Sequence, residues 1–168
     1  MKEKIINVPN AITFLRLLLV IPILLSIYHD SKLIYLFIVL ALLTELDGTV
    51  AKKLNQTTHF GANFDPLVDA VVIFSSLIMF TIKGVLLPLY LITFMVIEII
   101  KTKKLLVISR KQKKLILHSI TNLGKAGFAS MAALIILMVI KVPYLNLFIW
   151  ITIAIGLMSM IQTLIRKK

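Results

Sequence analysis

Three aspartates, Asp47, Asp65 and Asp69, lie at the ends of two apolar segments with a spacing that could hold a metal ion. Asp65 and Asp69 are four residues apart, so a helix would place both carboxylates on one face. Carboxylates next to membrane segments are costly and usually mark a functional site. Three of them form a hard, oxygen-rich ligand set suited to Mg²⁺ or Mn²⁺. We expect that metal to act on a phosphate-bearing substrate, with one carboxylate available as general base for an alcohol.

Small residues would clear the helix faces that carry these aspartates. The first set of four residues, which includes Asp47, would lie on a single helix face, because its members are related by i, i+3, i+4 and i+7. Gly61 precedes Asp65 by four residues, so it extends the face of the second helix. Two antiparallel helices with these faces opposed would bring the three carboxylates together beside room for a large flat ligand. The members of the first set are Thr44, Asp47, Gly48 and Ala51.

Simpler interpretations exist for single residues in this pattern. Asp47 alone could be a polar loop residue, and Asp65-Pro66 alone is typical of a turn and a helix start. Arg16 lies two turns into the first apolar segment. It is either a cation that snorkels to the interface or a guanidinium turned inward toward a phosphate. Glu98 is expected to pair with Lys101, three residues on, or with a loop cation.

The composition predicts an all-α integral membrane protein. Hydrophobic residues make up 60% of the 168 positions and the mean hydropathy is +1.01, which excludes an ordinary soluble globule. We expect no cleavable signal peptide, because no small-residue cleavage site follows the first apolar run. Cysteine is absent, which excludes disulfides, thiolate zinc sites and cysteine nucleophiles.

Six apolar segments are long enough to be transmembrane helices of one domain, 1–168. The net charge of +12 comes from basic residues in short loops, so it indicates topology and lipid headgroup binding rather than nucleic acid. With both termini cytoplasmic, fourteen basic residues lie inside and three outside, which places the aspartates at the cytoplasmic face. The predicted segments are 10–29, 33–53, 62–82, 84–101, 121–140 and 143–165.

Three further segments have predicted roles. Asn7 and Pro9 are a capping and turn signal for the first helix. The basic linker 102–120 is expected to continue as a surface helix, either as an orientation signal that binds lipid headgroups or as a cationic wall for an anionic substrate. The small residues from Gly124 to Ala133 predict a close helix contact, either internal or between the protomers of a homodimer.

At the aspartates the sequence resembles the CDP-alcohol phosphatidyltransferases, whose signature is D-x2-D-G-x2-A-R-x8-G-x3-D-x3-D. The likeness extends to the N-terminal phrase Pro9-Asn10-x2-Thr13-x2-Arg16, to KLNQTTHFG and DPLVD, and to Leu123-Gly124-Lys125. These phrases are similar to the branch that makes phosphatidylglycerophosphate. The residues at signature positions are Asp47, Gly48, Ala51, Gly61, Asp65 and Asp69.

The resemblance implies a six-helix bundle that transfers a phosphatidyl group from CDP-diacylglycerol to a polar alcohol, with CMP released. The acceptor in that branch would be glycerol 3-phosphate, and the location would be a bacterial cell membrane. Asp47 and Asp65 would ligate Mg²⁺ or Mn²⁺, and Asp69 would be a ligand or the catalytic base. Gly48, Ala51 and Gly61 would contact the CDP moiety. Lys52 would also bind substrate, and Arg110 and Lys125 are candidates for the acceptor phosphate.

The sequence departs from the signature at two positions and from the branch at a third. Thr44 stands where the signature has its first aspartate, and Lys52 keeps the charge of the signature arginine without its bidentate fork. Ala70 replaces a lysine that is common in the branch. The departures support an alternative, in which a weakened or inactive member binds lipid nucleotides or assists an active synthase. A third hypothesis is a small transporter that uses the carboxylates for ions.

Overall fold

The computed structural model describes residues 7–44, 59–112 and 122–165, and every regular element within these ranges is an α-helix. Each of the six predicted segments overlaps one of these helices, although the second segment continues into residues outside the described ranges. The helices are α1 (Val8–Tyr28), α2 (Leu33–Thr44), α3 (His59–Ile82), α4 (Pro88–Gln112), α5 (Asn122–Val139) and α6 (Leu145–Ile165).

The start of α1 follows the predicted capping signal. The Asn7 side chain accepts a hydrogen bond from the backbone N–H of Asn10 at 2.9 Å, and Pro9 lies in the first turn. This cap satisfies one of the backbone donors that a helix start leaves without a partner. Pro22 lies inside α1 without ending it, as a membrane helix allows.

The Asp65-Pro66 pair lies well inside a helix. α3 begins at His59 and runs through Pro66, so the alternative that Asp65-Pro66 forms a turn and starts the helix is wrong. Residues from Gly61 onward are therefore part of one continuous helix. This continuity places Asp65 and Asp69 one helical turn apart on the same face.

Three helices are long and apolar enough to cross a membrane: Asn10–Tyr28 within α1, Phe64–Ile82 within α3, and α6. Leu33–Leu43 and Leu123–Val139 are shorter apolar helices. Large apolar side chains on these helices are exposed, including Ile21, Ile82 and Trp150. So much exposed apolar surface suits lipid rather than water, and it supports the prediction that these helices lie in a membrane.

Contacts divide the chain into two compact units, with the boundary after Met79 near the end of α3. In the first unit, α1 packs against α2, and the turn between them includes Asp30 with a positive φ of 51°. Val20, Ile23 and Ile27 continue one buried apolar face along α1. The single domain 1–168 stays a prediction.

In the second unit, α6 packs against both α4 and α5. A methyl group added at Gly127 of α5 would lie 3.7 Å from the Ser159 side chain of α6, so the two backbones approach closely. Gly156 of α6 has a similar relation to Ile97 of α4, at 3.5 Å. Gly127 of α5 thus serves an internal helix contact, which was one of the two roles predicted for the small residues.

A buried ion pair lies on α4 in the same unit. Lys101 Nζ donates a hydrogen bond to Glu98 Oε1 at 2.6 Å, and both side chains are largely inaccessible. The predicted pairing over three residues is confirmed. α4 also continues to Gln112, so the linker is helical over its first half.

Candidate functional site

A single arginine on α1 contacts two aspartates on α3. The Nη1 atom of Arg16 donates a hydrogen bond to Asp65 Oδ1 at 3.1 Å and also contacts Asp69 Oδ1. Arg16 is 2% exposed, whereas the side chains of Asp65 and Asp69 are 35% and 22% exposed. The two carboxylates therefore converge on one point, and each keeps a side that a ligand can reach.

The local sequence explains how α1 delivers the guanidinium. Asn10, Thr13 and Arg16 follow each other at intervals of three residues and are all buried. Val20 continues the same face after four residues, and the face is apolar from there to the end of the helix. α1 therefore has a buried face that is polar near its N-terminus and apolar beyond it.

The charges of this cluster favour a divalent cation. Two carboxylates and one guanidinium leave a net charge of −1, and opposite charges attract more strongly away from bulk water. Mg²⁺ is commonly held by one or two carboxylates together with substrate phosphates. The oxygens of Asp65 and Asp69 fit such a metal, because they already lie around one cationic atom.

The three-aspartate set is described only in part. Asp65 and Asp69 are brought together as expected, and Gly61 lies half-buried on α3 one turn before Asp65. Among the residues that the structure covers, no group of three acidic or histidine side chains could hold a metal. The third predicted ligand, Asp47, lies outside the described residues, as do Gly48, Ala51 and Lys52. Thr44 is the last described residue of α2.

The two basic residues proposed for the acceptor phosphate lie in the second unit. Arg110 is part of α4, three residues after Val107, and its side chain lies outside the described set. Lys125 is exposed in the first turn of α5, close to the buried Gly124. Their role in substrate binding stays a prediction.

The sequence left the orientation of Arg16 open between two possibilities. The snorkelling interpretation is wrong, because the side chain is buried and its guanidinium contacts carboxylates. Its role as counter-ion of Asp65 and Asp69 was missed. The regular spacing of Asn10, Thr13 and Arg16 was the available signal, since three polar residues on one face of an apolar helix indicate a buried polar contact.

Comparison with known proteins places the chain in a family. A model of the CDP-alcohol phosphatidyltransferase family matches residues 6–159, which is most of the chain. Three similar bacterial proteins are named CDP-diacylglycerol–glycerol-3-phosphate 3-phosphatidyltransferase. The relative from Aquifex aeolicus is 44% identical over 77 residues, which cover 45% of this chain and 43% of the relative.

The other two relatives give matches of the same extent. The protein of Wigglesworthia glossinidia brevipalpis is 36% identical over 80 residues, and that of Rickettsia felis is 38% identical over 78 residues. Each match covers 44% of this chain and 43% of the relative, so the matched stretch spans less than half the length of these proteins. The family match over residues 6–159 shows that the chain belongs to the CDP-alcohol phosphatidyltransferase family.

Proposed function

We propose that this chain transfers a phosphatidyl group from CDP-diacylglycerol to the hydroxyl of glycerol 3-phosphate and releases CMP. The observation that carries the proposal is the convergence of Asp65 and Asp69 on Arg16, at signature positions of a family member. The names of the similar bacterial proteins support the donor and the acceptor. We further propose that 1–168 acts as one domain in a bacterial cell membrane.

Asp69 is the proposed base. Its carboxylate accepts the proton of the acceptor hydroxyl, and the hydroxyl oxygen forms a bond to the phosphatidyl phosphorus. The bond from that phosphorus to the bridging oxygen breaks, and CMP leaves with the electron pair. Arg16 fixes the position of the Asp69 carboxylate, and Asp69 is accessible enough for a substrate to reach it.

The proposal includes a divalent metal, Mg²⁺ or Mn²⁺, held by Asp65 and Asp69 together with Asp47. The family generally uses such a metal. When bound, the ion would neutralise the diphosphate and polarise the phosphorus under attack. The pair of carboxylates with a net negative cluster charge supports this assignment.

The remaining site residues are proposed from the signature, apart from Arg110 and Lys125, which are proposed from their location in the sequence. Gly48, Ala51 and Gly61 line the surface against the CDP moiety, and Lys52 contacts its phosphates. Arg110 and Lys125 bind the acceptor phosphate. Six membrane spans with both termini in the cytoplasm would put this site at the inner interface, where a lipid donor and a water-soluble acceptor can meet. The homodimer stays a prediction.

The direct test is CMP release by purified protein in detergent micelles with CDP-diacylglycerol, glycerol 3-phosphate and Mg²⁺ or Mn²⁺. We expect metal-dependent release, and we expect Asp69→Asn to abolish it because the amide cannot accept the proton. Asp30→Asn makes the same chemical change in the α1–α2 turn, where asparagine tolerates the positive φ, and should keep the activity. No CMP with any alcohol acceptor, beside an active control enzyme, would contradict the proposal.

A second candidate function follows from Thr44. The hydroxyl at the first signature position supplies no charge, so the chain could bind lipid nucleotides without turnover or support an active synthase. Thr44→Asp distinguishes the two. If the parent is inactive and this variant gains metal-dependent CMP release, the second function is supported; if the parent is already active, it is excluded.

A further inference from the structure

In the contacts that the structure describes, one nitrogen atom of Arg16 meets both aspartates. Arg16 Nη1 lies against Asp65 Oδ1 at 3.1 Å and also against Asp69 Oδ1. With 2% of its surface exposed, the guanidinium is stabilised by these carboxylates, because a buried ion needs compensating charge. The carboxylates are partly exposed and so less dependent on Arg16 than Arg16 is on them.

The same two carboxylates, Asp65 and Asp69, would hold the proposed metal. A carboxylate oxygen can serve two cations at once, but two cations placed at one point repel each other. A metal held by the carboxylates of Asp65 and Asp69 would therefore displace the guanidinium or bind against its charge. An arginine is always charged, so it cannot relieve the conflict by losing a proton.

We propose that Arg16 is a built-in counter-cation that competes with the divalent metal for the carboxylates of Asp65 and Asp69. The inference rests on the proposed metal site and adds that Arg16 lowers its affinity for metal. Arg16 thereby offsets part of the negative charge of the aspartate pair and holds the two carboxylates in place until metal is bound. If Arg16 only positioned the carboxylates, replacing it would weaken metal binding, whereas competition predicts that replacing it strengthens metal binding.

The test is a titration of the full-length protein in micelles with Mn²⁺, followed by electron paramagnetic resonance of the free ion, without nucleotide or lipid substrate. Arg16→Met removes the charge and keeps an unbranched side chain. We expect it to bind Mn²⁺ roughly tenfold more tightly than the parent, a change of about 1.4 kcal/mol by the tenfold relation. Arg16→Lys keeps a point charge, and its affinity for Mn²⁺ should lie between those of the parent and Arg16→Met.

Two controls separate this inference from the proposed function. Asp65→Asn should weaken Mn²⁺ binding in the parent; if it does not, the metal site itself is wrong and the inference fails with it. Lys32→Met removes a positive charge from the exposed α1–α2 turn and should leave the Mn²⁺ affinity unchanged. An equal gain in Lys32→Met would assign the effect to net charge and overturn the role of Arg16.

Folding of the arginine variant provides a second readout. Without Arg16 the two carboxylates repel each other, so Mn²⁺ should raise the melting temperature of Arg16→Met more than that of the parent. Recovery of folded variant only in the presence of Mn²⁺ would support the proposal. If Arg16→Met binds Mn²⁺ no more tightly than the parent, the proposal is overturned. If the methionine variant does not fold even with Mn²⁺, the same criterion applies to Arg16→Lys.

Discussion

Ser159 differs from the other buried hydroxyl residues of the described chain. Its Oγ is fully buried and, within the described residues, is the buried side-chain polar atom without a hydrogen-bond partner. Ser76 and Thr163 are equally buried, and each donates a hydrogen bond to the carbonyl four residues earlier. A buried hydroxyl without a partner costs stability, so Ser159 is unfavourable where it stands.

This contrast gives a prediction at the scale of one atom. Ser159→Ala should raise the free energy of unfolding by about 1 kcal/mol, because it removes an unpaired buried hydroxyl. Ser76→Ala is the matched variant, and it should lower that energy by about 0.5–1 kcal/mol through the lost bond. Equilibrium unfolding in mixed micelles measures both. A loss at Ser159 as large as that at Ser76 would show that the Ser159 hydroxyl has a partner.

The sequence predicted residue contacts unevenly, for a physical reason. Glu98 and Lys101 belong to one helix, so their spacing alone specifies the pair. Arg16 and Asp65 are 49 residues apart, and their contact depends on how two helices turn toward each other. Helical periodicity gives the face of Arg16 but not the partner of that face, which is why two interpretations remained open until the fold was known.

At the scale of the element, α4 carries a charged pair in the middle of an apolar helix. Lys101 and Glu98 are largely inaccessible, and Lys101 also lies 3.6 Å from the position of a methyl group at Gly127. The ammonium group of Lys101 therefore lies next to α5 at Gly127. Burial makes each charge dependent on the other, because either one alone would lack a counter-ion.

Replacing one member of the pair should therefore lower the free energy of unfolding more than replacing both members. We expect Lys101→Met to lower the free energy of unfolding by about 3 kcal/mol, because it leaves the Glu98 carboxylate unpaired. Glu98→Gln added to Lys101→Met should recover most of that loss. Lys103→Met, at an exposed position of the same helix, should change it by less than about 0.5 kcal/mol. Unfolding in micelles of Lys101→Met, Glu98→Gln and the double variant measures this coupling. A double variant destabilised by the sum of the two single losses would contradict it.

Element boundaries were predictable where apolar runs end at turn residues and less so elsewhere. The start of α1 follows from Asn7 and Pro9, and α6 begins two residues after the predicted position. Pro66 was ambiguous, because proline is found both at helix starts and inside membrane helices. The continuation of α4 to Gln112 agrees with the expected helix beyond the apolar segment, although its relation to the membrane surface stays a prediction.

At the scale of the whole molecule, the distribution of charge predicts the topology. The proposed arrangement has fourteen basic residues inside and three outside. Since the chain has no cysteine, single cysteines can report on each side. Lys32→Cys should react with a membrane-impermeant maleimide in intact cells, whereas Lys103→Cys should react only after permeabilisation. Both positions are exposed, so accessibility within the fold is matched. The reverse labelling pattern would contradict the proposed orientation.

The buried face of α1 has a consequence for how the protein adapts to bilayers of different thickness. Sliding α1 along its axis by one turn, about 5.4 Å, would bring Val20 or Thr13 level with the aspartates in place of Arg16. Motion in either direction would separate the buried guanidinium from the two carboxylates that it contacts. Hydrophobic mismatch at this helix must then be absorbed by tilt or by deformation of the surrounding lipid.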